Sequence, residues 1–191
     1  AGTPLWTADG VAMFSLLGSI AQANPRIVRT TAGVCVIAWE QGGNIVAQKL
    51  GATGGLLWGT SGLTICSATG TQQAPVLAYC ATRGEEALYF AWRDDRSGGS
   101  DLYAQKVSTA GAVQWIANGT ALCTASGTQM NLSMLWDRTL GACFAWMDNR
   151  SGSYDIYVNR IADDGSFAWG TSGVPVCTAA LDQWYPVLVS G

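Results

Sequence analysis

The chain has 191 residues, of which 49% are hydrophobic and only 12% charged, with 24 Gly and no His. That is enough apolar material for one buried domain and too little charge for a disordered one. The net charge of −3, with Lys and Arg scattered, leaves no basic face for nucleic acid, and no apolar run reaches the ~20 residues of a membrane-spanning helix.

In chain order, residues 1–21 open with "AGTPLW", which lacks an initiator Met or a basic leader, as expected of a mature secreted chain. Trp6, Gly10 and Phe14 then stand at a spacing that returns three times: Trp58, Gly62 and Cys66; Trp115, Gly119 and Cys123; Trp169, Gly173 and Cys177. After each comes a Gln, with Pro three residues on, at Gln22/Pro25, Gln72/Pro75 and Gln183/Pro186; the remaining copy has Gln129 with Leu132. A second module, "VIAWEQGGNIVAQKL" at 36–50, recurs as "YFAWRDDRSGGSDLYAQKV" at 89–107 and "CFAWMDNRSGSYDIYVNRI" at 143–161. The chain is therefore one repeated unit: 22–71, 72–128 and 129–182, with partial copies at 1–21 and 183–191.

Each unit predicts four short strands. In the first unit these are "PRIVRT" at 25–30, "GVCVIAWE" at 33–40, "NIVAQKL" at 44–50 and "GLTIC" at 62–66. β-Branched and aromatic residues, Gly-rich punctuation and the lack of a sustained 3.6-residue period favour strand over helix. The partial copies predict an outermost strand within 1–21 and an innermost strand, "PVLVSG", at 186–191. Such ends would leave unpaired strand edges. Three accounts stay open: a longer array, a neighbouring chain that completes the sheet, or a closure of different strand order.

A period near 50 built of four strands is the mark of a β-propeller blade. The pattern Ala-Trp-x-Asp-x-Arg-Ser-Gly-x-x-Asp-Ile/Leu-Tyr-Ala-Gln, followed by Gly, Trp, Gly and Gln-x-x-Pro, resembles propeller repeats of secreted, multidomain bacterial proteins. The resemblance covers nearly the whole chain. It implies an all-β propeller-type fold of about three complete blades and part of a fourth, and says almost nothing about function.

The loops "DDRSGGSD" and "DNRSGSYD" place Asp94, Arg96 and Asp101 in register with Asp148, Arg150 and Asp155. Asp and Gly are what a tight turn requires, and the Arg fork can bridge flanking carboxylates. In the first unit the loop shrinks to "EQGGN", keeping Glu40 but losing the Arg. These are expected to be structural turns. Calcium on Asp94, Asp95 and Asp101 is the alternative, although the spacing is not that of the known Ca²⁺ loop. Asp163-Asp164-Gly165 reads as another turn.

The six cysteines, Cys35, Cys66, Cys80, Cys123, Cys143 and Cys177, predict disulfides in an oxidising compartment, with buried thiols as the alternative. One consistent pairing joins Cys66 to Cys80 and Cys123 to Cys143, leaving Cys35 and Cys177 to close a ring or join chains. Trp136, Trp184 and Tyr185 lie outside the repeated Trp positions and are candidates for stacking on sugars, or for filling space between repeats. Asn118, Asn131 and Asn149 head glycosylation sequons.

No catalytic set is visible. Without His no Ser-His-Asp arrangement can form, and the acidic residues fall at repeated turns rather than in one cluster. The expectation is a non-enzymatic, secreted structural or interaction module, assembling with copies of itself or with other cell-surface proteins. A glycan-binding propeller is the alternative, and a glycosidase-type remnant the second alternative.

Overall fold

The computed structural model describes residues 7, 10–13, 20–82 and 84–190. Among these residues twelve strands form three four-stranded antiparallel sheets, each a meander in chain order. Sheet one comprises β1 (Gln22–Arg29), β2 (Cys35–Gln41), β3 (Asn44–Leu50) and β4 (Leu63–Cys66). Sheet two comprises β5 (Gln72–Thr82), β6 (Glu85–Asp94), β7 (Asp101–Ser108) and β8 (Thr120–Cys123). Sheet three comprises β9 (Gln129–Trp136), β10 (Gly141–Asp148), β11 (Asp155–Ala162) and β12 (Val174–Cys177). The first strands adjoin, with β5 against both β1 and β9.

The sheets stack face to face, so the middle strands are buried on both sides and read as nearly continuous apolar runs. Leu88, Phe90 and Trp92 of β6 pack on Val36, Ala38, Ile45 and Ile65 of sheet one. Tyr89 and Ala91, on the opposite face of the same strand, pack with Phe144 and Trp146 of sheet three.

Buried amides fix the long β-loops. Gln105 in β7 donates to Ile116 O at 2.8 Å and accepts from the Trp115 backbone N–H at 3.0 Å. Gln48 does the same with Gly59 O and Trp58 N, and Asn159 donates to Gly170 O. The polar residue in "AQK" and "VNR" is thus an inward-facing loop tie, a role that strand alternation alone does not predict. Satisfying both ends of the amide removes the cost of burying it.

Residues 183–190 form no strand and pair with no sheet among the described residues. The outermost strand expected within 1–21, with its Trp6 and Phe14, falls largely outside the described residues, as does Gly191.

Candidate functional site

The Asp-x-Arg loops are the clasps between sheets. Asp94 is fully buried at the end of β6, where Gln72, Asp94 and Asp101 lie in register across three strands. Its carboxylate accepts from Trp92 Nε1 at 2.8 Å, and from Arg96 Nη2 and Nε at 2.6 and 2.9 Å. Arg96 Nη2 also lies 3.2 Å from Cys66 Sγ and donates to Asn118 O at 2.8 Å. The guanidinium stacks 3.8 Å above the Tyr103 ring. Cys66 belongs to sheet one and every other member to sheet two.

The next interface repeats this arrangement. Asp148 accepts from Trp146 Nε1 and Arg150, and Arg150 reaches Cys123 Sγ at 3.1 Å and Ser172 O at 3.0 Å, with its guanidinium 4.0 Å above Tyr157. Burial alone would raise the Asp94 and Asp148 carboxyls, but bonds from the Arg and Trp outweigh it and hold both below the ordinary range. Burial works against the Arg cations too, and the paired carboxylates reverse it, so both are raised.

In sheet one the residue opposite β3's first position is Gln41, paired with Asn44, and Trp39 Nε1 donates to Gln41 at 3.0 Å. Gln41, rather than Glu40, therefore occupies the place of Asp94. An uncharged amide pair needs no Arg, and the loop can close with Gly42 and Gly43 alone, both at positive φ. Glu40 instead accepts from Asn24 Nδ2 at 2.7 Å and bonds the Ala74 backbone N–H.

All six cysteines are free thiols, which replaces the disulfide expectation. Cys66 lies opposite Ile45 near the clasp, while Cys80 pairs with Ala87 toward the far end of β5 and donates to Thr139 O. Eight strand residues separate Gln72 from Cys80, roughly 26 Å, so Cys66 and Cys80 cannot meet. Cys123 and Cys143 are separated in the same sense, one at each end of their strands. Burial raises the Cys66 thiol and pushes those of Cys80 and Cys123 up to about 11, which makes them poor nucleophiles at neutral pH.

The oxygens considered for calcium face different partners: Asp94 meets Arg96 and Trp92, Asp95 lies beside Arg93, and Asp101 accepts from Ser97. Among the described residues no three His, Cys, Asp or Glu side chains gather into a metal-sized group. Asp163 does more than make a turn. Its side chain accepts from Tyr89 Oη at 3.1 Å and from Lys106, and its carbonyl accepts from Trp115 Nε1 at 3.0 Å, linking sheets two and three. Asn118 and Asn149, read as sequons, spend their side-chain oxygens on the Ser67 and Thr128 backbone N–H groups.

A concave surface of about 320 Å³ lies where the first strands meet, lined by Ile27, Val76, Leu132, Met134 and Val187, with Arg26 as its charged group. Among the described residues its lining holds no carboxylate pair of the kind glycoside hydrolysis uses.

Among the described residues, the outward side of sheet three exposes apolar side chains at a position that the other two sheets bury. In β4 and β8 the third residue is covered by the following sheet, so Ile65 is 2% exposed and Leu122 0%. Val176, its counterpart in β12, is 64% exposed. Trp169 is 42% exposed, and along 181–189 Leu181, Trp184, Tyr185, Val187 and Val189 are exposed as well. Val187 belongs to the concave surface where the first strands meet and Val189 lies beside Trp136, so the outward side of sheet three is represented by Trp169, Val174 and Val176.

Of the aromatics expected outside the repeat core, Trp184 and Tyr185 adjoin, with ring centroids 6.1 Å apart and Tyr154 5.5 Å from Trp184. Trp136 sits away from them, beside Val189 at the other end of 183–190. It is partly buried against the sheet-two core and donates to Thr139 O. The three do not form one platform.

No family model matches the chain, and no curated protein matches it. Among solved structures it resembles the crystal structure of an alpha-L-arabinofuranosidase from Lactobacillus brevis, with a TM-score of 0.51 and 16% identity over 88% of this chain. The chain spans 56% of the length of that structure. A likeness at this identity speaks to the fold alone.

Proposed function

We propose that this chain is a propeller-type β-scaffold with a non-catalytic role, working extracellularly as an interaction module through the open side of its third sheet. The observation that carries this reading is the exposure of Val176 against the burial of Ile65 and Leu122. The same strand position is sealed twice by a neighbouring sheet and once is not. Three successive meanders with adjoining first strands support the propeller description.

The test compares substitutions at one repeat position. Val176→Lys should leave the melting temperature within about 2 °C of the parent, because surface changes are worth about 0.5 kcal/mol or less. Leu122→Lys should prevent folding. A Val176→Lys chain that unfolds would mean the face is sealed by the chain itself, and the interaction reading would fall.

A carbohydrate-directed reading rests on the likeness to an arabinofuranosidase and on exposed Trp184 and Tyr185. Its tests are a glycan array and release of nitrophenol from aryl arabinofuranosides. Array binding lost in Trp184→Ala would establish a lectin, and turnover lost in a single Asp→Asn or Glu→Gln variant would establish a hydrolase. The expected result is neither.

A further inference from the structure

The molecule shows twice what covers the face that sheet three leaves open. Between sheets one and two, Cys66 is capped by Arg96, and Trp58 packs against the turn at Gly111. Between sheets two and three, Cys123 is capped by Arg150, and Trp115 donates to the turn carbonyl of Asp163. Cys177 and Trp169 hold the same places in sheet three. Among the described residues no guanidinium reaches Cys177, and Trp169 is exposed.

Residues 183–190 are also prepared. The Gln72 backbone N–H donates to Gly43 O at 2.8 Å, Gln129 to Ser100 O at 2.8 Å, and Gln183 to Tyr154 O at 2.6 Å. Each Gln side chain donates back to carbonyls of the preceding loop: Ala68 and Thr69, Ala125 and Ser126, Ala179 and Leu181. Two residues on, Ala74, Asn131 and Tyr185 take φ of 50°, 51° and 53°. Such a kink is uncommon for non-Gly residues, and within β5 it coincides with the register shift that precedes Val76. The segment therefore has the entry of a first strand, and among the described residues no strand pairs with it.

We infer that this face docks a β-meander unit whose own Asp-x-Arg-Ser-Gly hairpin seats its Arg on Cys177 and whose strand pairs with 183–190. This inference rests on the interaction reading above and names the partner. A second copy of this chain does not fit, because Arg96 and Arg150 are already seated on Cys66 and Cys123, and sheet one offers Gln41-Gly42-Gly43-Asn44 with no guanidinium. The interface is directional, and the Arg-bearing hairpin is its selective element.

The test uses the full chain and a synthetic 141–162 peptide, which supplies a second strand, an Asp-x-Arg hairpin and a third strand, under reducing conditions. Iodoacetamide labelling of Cys177 is followed by peptide mapping, with buried Cys66 and Cys123 as internal references. The peptide should slow Cys177 labelling at least about tenfold, and its Arg150→Ala form should bind at least about tenfold more weakly, the scale of a lost charge-assisted contact. The same peptide should lose binding to a Val176→Lys chain.

Equal potency of the two peptides would overturn the inference while leaving the face as an interaction site. Concentration-dependent protection of Cys177 without peptide would overturn it in favour of copies of the chain. No protection by either peptide at roughly 1 mM, the weak limit of specific binding, would overturn it as well. Carboxylate-dependent glycosidase activity would overturn the interaction reading itself, whatever the peptides do.

Discussion

β8 and β12 have nearly the same design and opposite surroundings. Each is four residues long, ends in Cys, follows a Gly at positive φ and pairs with the strand before it. In β8 the last two residues are buried because sheet three lies over them, and Arg150 closes the end. In β12 Val176 is exposed and Cys177 half-buried. The strand is therefore specified by local sequence, while its burial is conferred by a neighbour. A repeat whose outer face is apolar in every copy is built for stacking, and the uncovered copy keeps that chemistry on display.

The comparison is broken most severely by truncation at its buried side. Leu122→Ala should cost about 2–5 kcal/mol by cavity formation, whereas Val176→Ala should stay within about 0.5 kcal/mol; urea unfolding of both chains measures the gap. Equal losses would show that the two faces are equally sealed.

Glycine at the head of each fourth strand gives a finer contrast. A Cβ on Gly119 would lie 2.5 Å from the Trp92 ring, and on Gly173 2.4 Å from the Trp146 ring, both at positive φ. Alanine at either position should cost about 2–4 kcal/mol, combining left-handed strain with overpacking. At Gly170, where φ is 76° and nothing lies within 4 Å, only the strain of about 1 kcal/mol should appear. Sheet three should thus behave as a buried sheet on one face and as a surface on the other.

The clasp is smaller still. Asp148→Asn should cost about 1.5–3 kcal/mol, the range for hydrogen bonds to charged groups. Its pH dependence has a definite sign. Asp94 and Asp148 have folded values below the ordinary 3.8, so their contribution is complete above that value and fades as pH falls through the lower folded one. Asp148→Asn should therefore flatten the acid limb of a stability profile measured below pH 4. The mildest measurement is thiol labelling at neutral pH: half-buried Cys177 should react well before Cys123, whose thiol burial pushes up to about 11.

Much of this was legible in the sequence for a local reason. Strand alternation, glycine at positive φ and the Asp-led hairpins depend on residues within a few positions of one another, so the repeat alignment carried them. The turn reading of Asp94, Arg96, Asp148 and Arg150 had the right loop but not the right reach, since the Arg holds a Cys of the previous sheet 30 residues away in the first case and 27 in the second. The cysteine count favoured disulfides because parity carries no direction, and only the strand register puts Cys66 and Cys80 at opposite ends. Glu40 was matched to Asp94 by charge, while Gln41 holds the Trp39 indole.

By itself the sequence determined the unit: four strands, their turns and the positions where Trp, Gly and Gln must recur, because each is enforced by the backbone nearby. The tertiary structure decided which copies of that unit are covered. Ile65, Leu122 and Val176 follow the same local rule, and what separates them is whether a sheet more than 20 residues away packs against the side chain and excludes water from it.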